Sequence, residues 1–377
     1  MLWHNPVLRR LISESAVSTK RIAVVGAGVN GVSIATACAS LGHQVQLFDE
    51  STPFDQTSSA SSRMLHGGIR YIEQGHIGLV REALIERDGW LRFAPNATRV
   101  ERFYFPVYQE SKRGRWLLFA GTLIYQWLAG RFSVGPSQLH SSEDLKHVFP
   151  SLIPQGLCGG ASYCDVVMEY EPLIQRLVDE ARKQGVRIVE NTRIERLYSE
   201  GRIDTADQTL EFDRVINAAG PWAAKLLEAS DVDSGFTIDH VRGSHLIVQA
   251  SFRHALVLQA PGERRIIFVI PLDPEHVLLG TTEQKHDISD PIVCTDAESA
   301  YLLEILNQHL SEPLAASDIV SSFAGVRPIV RPRDTSPGDI SSASRDSEIE
   351  ISDRLISVFG GKWTSARHLG GKVAALV

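Results

Sequence analysis

Residues 21–31 read RIAVVGAGVNG, followed by VSIATACASLG at 32–42 and HQVQLFDE at 43–50. Arg21–Val25 is a short apolar run halted by glycine, the form of a buried parallel strand. The small and apolar residues after Gly31 predict a helix pressed closely onto a sheet and stopped at Gly42. Gln44–Phe48 predicts a second strand ending at Asp49, so the stretch forms one βαβ unit, right-handed as parallel crossovers nearly always are. In Gly26-x-Gly28-x-x-Gly31 the first glycine permits a tight turn and the second lets backbone approach a pyrophosphate. The third lets helix and strand pack closely. With Asn30 in its first turn, the helix offers unpaired N–H groups and partial positive charge to phosphates. Asp49 can accept hydrogen bonds from ribose hydroxyls. Together these features predict dinucleotide binding.

The fingerprint does not separate NAD from FAD, since both present an ADP half. The order of the remaining elements does. An NAD enzyme usually completes its second mononucleotide half contiguously. Here the chain departs and returns to a βα pattern only at Leu355–Phe359, Gly360-Gly361-Lys362 and a helix from about Thr364. A glycine turn and helix start at that place suit the far end of a permanently held flavin.

Between these ends, Leu79–Phe93 and Pro172–Gln184 have helical spacing, and Arg187–Glu190 and Arg214–Ala219 read as strands. His245–Gln249, Ile266–Pro271 and Val277–Gly280 form three short β-rich runs, the last two joined by Asp273-Pro274, which predicts an antiparallel sheet. Ala297–Leu310 is expected to be helical, Ile319–Val330 extended and Arg331–Arg354 a polar loop. The fold expected is α/β: a Rossmann-like FAD-binding domain with an inserted α+β substrate domain built on an antiparallel sheet. The FAD domain is expected to be discontinuous, at 21–75, 160–235 and 355–377. The substrate domain takes 76–159 and 236–354, and residues 1–20 form a tail.

The 377 residues, 43% hydrophobic and 22% charged, exclude wholesale disorder. With 38 basic and 45 acidic residues the net charge is −7, which gives no global attraction for nucleic acid. Cys38, Cys158, Cys164 and Cys294 form no C-x-x-C pair, so a reducing compartment is expected and no structural metal. The most apolar stretch, WLLFAGTLIYQWLAG at 116–130, would span about 22 Å as a helix, short of the roughly 30 Å hydrocarbon core. It can lie in a membrane surface or be buried.

These segments, in this order, resemble the FAD-dependent glycerol-3-phosphate dehydrogenase family, within the wider group of D-amino-acid oxidase and glutathione-reductase-like flavoproteins. The matching stretches are VVGAGVNG, TSSASSRMLHGGIRYIE (57–73), NAAGPW (217–222), RGSHLIV (242–248), IIFVIPL (266–272), LLGTTE (278–283), SSFAGVRPI (321–329) and VFGGKWT (358–364). The resemblance implies non-covalent FAD and oxidation of sn-glycerol 3-phosphate to dihydroxyacetone phosphate, with electrons passing to a quinone, or to oxygen in the oxidase branch. It also implies a cytoplasmic protein or one peripheral on the inner membrane. The family usually continues into a C-terminal helical domain, and many members carry Asp-Asp-x-Arg where this chain has Met168-Glu169-Tyr170-Glu171-Pro172. Both departures bear on the substrate. A flavoenzyme for another hydroxy acid, amine or phosphorylated polyol, and a non-catalytic flavin-binding module, stay open beside the leading reading.

The resemblance also assigns residues. Arg70 and Lys362 are expected to bind an anion, and Arg327 the substrate near its reacting oxygen. His245 is the preferred base, because a histidine with a pKa of about 6.5 accepts a proton at neutral pH. Ser58, Ser59, Ser62 and Arg63 are expected to line the flavin or its pyrophosphate, and His66 and Gly67 to face the flavin. Ile194 and Ala219 are expected near adenine, Gly220 to bind the cofactor, and Gly361, Lys362, Trp363 and Thr364 to lie along the far end of the cofactor.

Overall fold

The computed structural model describes residues 18–260, 263, 265–335 and 347–377. The tail expected at 1–20 lies outside them except for residues 18–20. The chain divides into two compact units. One takes the described residues up to Ser59 with Tyr170–His240 and Arg327–Val377, and the other takes Ala60–Glu169 and Val241–Val326.

The first unit is built on a six-stranded sheet, in the order Glu348–Ser352, Leu355–Phe359, Arg214–Asn217, Arg21–Val25, Gln44–Phe48 and Arg187–Val189. All neighbours run parallel except the first pair, which is antiparallel. Ile22, Ala23 and Val24 are fully buried, as a strand covered on both faces requires. The Val29–Ser40 helix covers the sheet as expected, and the chain turns out of it at Gly42, whose φ is +92°. Helices Tyr170–Lys183, Ala223–Ala229 and Ala366–Ala374 and a three-stranded sheet of Ile194–Tyr198, Arg202–Thr205 and Thr209–Glu211 also belong to the unit; a Cβ at Gly370 would stand 2.6 Å from Ser33 O, so the last helix and the Val29–Ser40 helix touch backbone to backbone.

The second unit carries the antiparallel sheet. Its spine is a long ribbon, Thr98–Tyr108 against Leu157–Met168. The three β-rich runs appear as Phe236–Gln249, Ile266–Pro271 and His276–Gly280. One pairing departs from the expectation: Ala255–Gln259 joins the ribbon in parallel, at Ala255↔Phe103 and Leu256↔Tyr104. The Asp296–Asn307 helix starts on a capping box, with Thr295 and Glu298 satisfying each other's backbone N–H groups. The Arg115–Ala129 helix buries only Thr122, Tyr125 and Ala129, and leaves Trp116 and Trp127 63% and 77% exposed.

The expected domain boundaries shift. The crossing placed at 75 falls after Ser59, because Met64–Leu65 pairs with Val166–Val167 of the second unit's sheet. The crossing placed at 160 waits until Tyr170, because Leu157–Met168 is one continuous strand. The crossing placed at 235 comes after His240, whose Nε2 lies 2.8 Å from Pro221 O in the first unit. The return placed at 355 comes at Arg327, after which Arg331 Nε donates to Asp239 at 2.9 Å. The polar loop expected over 331–354 accordingly contains a strand, Glu348–Ser352, paired with Leu355–Phe359.

Candidate functional site

In the first unit, the C-terminal ends of the parallel strands open into a cavity of about 690 Å³, bounded by Val25, Phe48, Ala218 and Gly360 among others. Open α/β sheets place their ligands at this edge. Gly26, Gly28, Asn30 and Asp49 line it, as do Ser58, Ile194, Ala219, Gly220, Gly361, Lys362 and Trp363. Gly26 has φ +98°, and a Cβ there would stand 2.6 Å from Ala218 O, so the tight turn admits only glycine. Gly31 does not line the cavity; a Cβ there would fall 1.7 Å from Gly26 O, and its place is the contact between helix and turn.

The Val29–Ser40 helix has Gly28 at its N-cap, no side-chain cap and no acidic residue in its first turn. Its N-terminal field is therefore left facing the cavity, the arrangement a phosphate requires. Asn30 Nδ2 donates to Gly360 O at 3.0 Å, while its Oδ1 is buried with no hydrogen-bond partner. Val29 N–H donates to Ser58 Oγ at 3.0 Å. Asp49 shapes the turn as well as lining the cavity: Oδ2 accepts from Ala27 N–H at 2.5 Å and Oδ1 from Ser51 N–H at 2.9 Å. These residues fit the ADP half of FAD: a glycine cradle, an uncapped helix start and a carboxylate at the strand end.

An aromatic clamp that sequence reading missed holds the 54–58 loop. Trp363 stacks on Phe54 with ring centroids 5.7 Å apart and donates its indole N–H to Ser58 O at 3.0 Å. Tyr170 packs edge-on against Trp363 and donates its hydroxyl to Phe54 O at 3.3 Å. The altered 168–172 segment thus places its tyrosine against the lining residues Phe54 and Trp363. Phe54, Gln56 and Thr192 also line the cavity and carried no motif signal, while Thr57, Trp222 and Pro328 line it from matching stretches that gave them no role. Two expected members of this group lie elsewhere. Ser59 turns its hydroxyl back to Gln56 O at 2.7 Å, and Thr364 is buried behind the lining residues.

Ser62, Arg63, His66 and Gly67, expected along the flavin, belong to the second unit. Ser62 Oγ lies 2.9 Å from His245 Nε2, so this serine serves the histidine. Arg63 adopts φ +55°, and its carbonyl accepts from Met168 N–H at 2.9 Å. His66 Nδ1 accepts from Gly68 N–H at 3.1 Å, and Gly67 N–H donates to Tyr125 Oη at 2.7 Å. Arg70 stands 4.0 Å from Glu283, with its side chain 35% exposed.

His245 is 2% exposed and stacks on Phe323 at 5.0 Å. Its other face meets Gly280, where a Cβ would stand 2.4 Å from the ring. The backbone around it is pinned by a buried carboxylate. Ser244 N–H donates to Thr282 Oγ1 at 2.9 Å, Thr282 donates to Glu298 Oε1 at 2.7 Å, and Arg242 donates to Glu298 Oε2 at 2.7 Å. Burial would raise the Glu298 carboxyl, but hydrogen bonds from Thr282, Thr295 and Ser244 outweigh it and hold it below the usual glutamate range. Glu298 went unnoticed as a site-supporting residue, although T-x-x-E at 295–298 was a legible helix-start signal. Arg327 and Lys362, the remaining expected cations, belong to the first unit, Arg327 next to the lining residue Pro328.

A family profile described as FAD dependent oxidoreductase matches residues 21–376. The chain is 35% identical over 366 residues to a glycerol-3-phosphate dehydrogenase of Pseudomonas aeruginosa, covering 92% of this chain and 69% of that protein. It is 30% identical to a D-erythritol 1-phosphate dehydrogenase of Brucella abortus, covering 92% and 71%. The structure of the glycerol-3-phosphate dehydrogenase from Bacillus halodurans complexed with FAD superposes with a TM-score of 0.74 at 23% identity, over 98% of this chain and 66% of that one. The chain thus spans about two thirds of the length of these proteins.

Proposed function

Since this chain belongs to the FAD-dependent oxidoreductase family, among the glycerol-3-phosphate dehydrogenases, we propose that it oxidises sn-glycerol 3-phosphate to dihydroxyacetone phosphate. The observation that carries the reading is the first unit's cavity, lined by both an uncapped helix start and Lys362. Bound FAD supplies the acceptor for a hydride from the carbinol carbon, and a quinone is the proposed final acceptor. Gly28, Asn30 and Ser58 hold the pyrophosphate side of the cofactor. Following the family resemblance, Arg70 and Lys362 take the anion-binding role and Arg327 the role at the substrate's reacting oxygen. His245, oriented by Ser62, accepts the hydroxyl proton.

The two relatives named above both take their names from a phosphorylated polyol, which favours phosphate recognition over a particular carbon chain. D-Erythritol 1-phosphate is therefore the second substrate to try. A charge-assisted hydrogen bond contributes about 1.5–3 kcal/mol, so with one from Arg70 and one from Lys362, removing the phosphate should cost roughly 10²–10⁴ in kcat/KM. Steady-state rates with sn-glycerol 3-phosphate and with glycerol check this. Equal kcat/KM for the two would remove the phosphate from the account.

We propose further that the Arg115–Ala129 helix rests on an anionic lipid surface. Trp116, Leu117, Leu123, Ile124 and Trp127 are exposed together along it, and Arg115 and Arg131 flank the face. Among the described residues no helix is long and apolar enough to cross a membrane. Tryptophan and arginine at one level suit an interfacial position. Burying a large apolar side chain contributes about 1.5–3 kcal/mol, so the double variant Trp116→Asp, Trp127→Asp should lose about 100-fold in vesicle affinity. Cosedimentation with anionic vesicles reads this directly, and unchanged binding would discard the surface.

A further inference from the structure

We propose that Tyr125 is a positioning residue that sets the His66–Arg70 turn, and with it the pose of Arg70. The proposal rests on the reading above in which Arg70 meets the substrate phosphate. Tyr125 lies on the buried side of the Arg115–Ala129 helix. Its Oη accepts from Gly67 N–H at 2.7 Å, and its O–H donates to Asp165 Oδ2 at 2.6 Å. A phenol has one proton, and here it is committed to the carboxylate, so the oxygen's lone pairs are directed to Gly67. Burial first, and the Asp165 charge second, hold the Tyr125 hydroxyl well above the usual phenol range. It therefore remains a donor at every working pH.

Asp165 is itself fixed from three sides. Arg87 Nη1 donates to its Oδ1 at 3.0 Å, Val166 N–H donates to the same oxygen at 3.1 Å, and Tyr125 holds Oδ2. Arg87 Nη2 is anchored in turn on Phe132 O at 2.7 Å. The Arg87 and Asp165 side chains are each 1% exposed. Apolar residues of similar volume would serve stability as well as a buried ion pair, and often better. What the pair does supply is direction: it orients the hydroxyl that receives Gly67.

The turn has no slack to take up an error. A Cβ at Gly67 would stand 2.6 Å from Tyr125 Oη and 2.7 Å from Leu84 Cγ. Immediately before the turn, Met64 and Leu65 pair with Val167 and Val166, next to Asp165 in the same strand. One strand therefore ties the turn on both sides, through its ladder before His66 and through Asp165 and Tyr125 after it. Three residues beyond Gly67, Arg70 opens a short helix and stands 4.0 Å from Glu283. An ångström of movement at Gly67 moves that guanidinium with it.

The test is Tyr125→Phe in the FAD-loaded full chain. The expected result is a KM for sn-glycerol 3-phosphate raised about tenfold with kcat within about twofold, the signature of lost uniform binding. Inorganic phosphate, titrated into the oxidised protein and followed by the flavin spectrum, should bind more weakly by the same factor. A purely structural role would lower the Tm and leave both constants unchanged, and that result overturns the proposal. Asp165→Asn keeps the tyrosine but loosens its hydroxyl. It should move both constants in the same direction by less, and wild-type constants there also overturn the proposal, whatever the folding yield of Tyr125→Phe. If sn-glycerol 3-phosphate does not reduce the wild-type flavin, the substrate reading fails, while the phosphate titration still reads the turn. A wild-type protein that binds no phosphate overturns the proposal as well.

Discussion

Gly31→Ala is expected to give a colourless protein. The added Cβ would stand 1.7 Å from Gly26 O, a backbone atom with no rotamer to change. The Val29–Ser40 helix would have to lift away from the turn, carrying with it the Gly28 and Asn30 positions that line the cavity. Overpacking typically costs about 1–3 kcal/mol where side chains can adjust, and this overlap is with main chain. A loss of at least roughly 100-fold in FAD affinity is expected, from the displaced helix start as much as from lost stability. Gly78→Ala is the matching control. Gly78 lies in the Ile77–Phe93 helix with nothing within 4 Å of an added Cβ, and alanine there should be neutral or stabilising by about 0.5–1 kcal/mol. Flavin-to-protein ratios and Tm values for the two variants decide the matter. A yellow Gly31→Ala protein with wild-type affinity would mean that the cavity is not the cofactor site.

Arg327→Ala should behave in the opposite way: yellow, folded and nearly inactive. Arg327 is half-buried in the Ile319–Pro332 strand, next to Pro328 on the cavity wall, and none of its expected work concerns the ADP half of the cofactor. Removing one preorganised donor at a reacting oxygen typically costs about 2.7–4 kcal/mol, or roughly 10²–10³ in kcat. Arg327→Lys should recover little, because a planar, always-charged fork is replaced by a flexible point charge. Flavin content by absorbance and the rate of flavin reduction under anaerobic conditions separate binding from chemistry. A reduction rate within a few-fold of wild type would take Arg327 out of the reaction.

The first unit was legible because its signals are local. Arg21–Val25, Gly26 to Gly31 and Gln44–Phe48 carry strand, turn and strand within one short stretch, and each stands where it was read. The second unit's spine was not read. Thr98–Tyr108 holds Pro106 and four charged or polar residues in its first half, and Leu157–Met168 holds Gly159, Gly160 and Asp165, all poor strand signals. Both strands pass their burial test through tertiary cover, since Phe103, Ala161 and Asp165 are fully buried. The site shows the same division. The glycine cradle was visible as a motif, whereas Ser62 was read only with its sequence neighbours Ser58, Ser59 and Arg63, as lining the flavin or its pyrophosphate. Its hydroxyl meets His245 across a separation of 183 residues, which no local pattern reports. The buried pairs Arg87–Asp165 and Arg242–Glu298 were hidden for that reason too: an isolated charge in a sequence reads as surface until its partner is seen.

The central claim is that the flavin held by this chain is reduced by a phosphorylated polyol. The measurement that tests it most directly is an anaerobic titration of the purified, FAD-loaded protein with sn-glycerol 3-phosphate, followed through the visible band of the oxidised flavin. The account predicts that the band bleaches as substrate is added and that dihydroxyacetone phosphate appears in equal amount. A protein that stays yellow with sn-glycerol 3-phosphate and with D-erythritol 1-phosphate alike would contradict it.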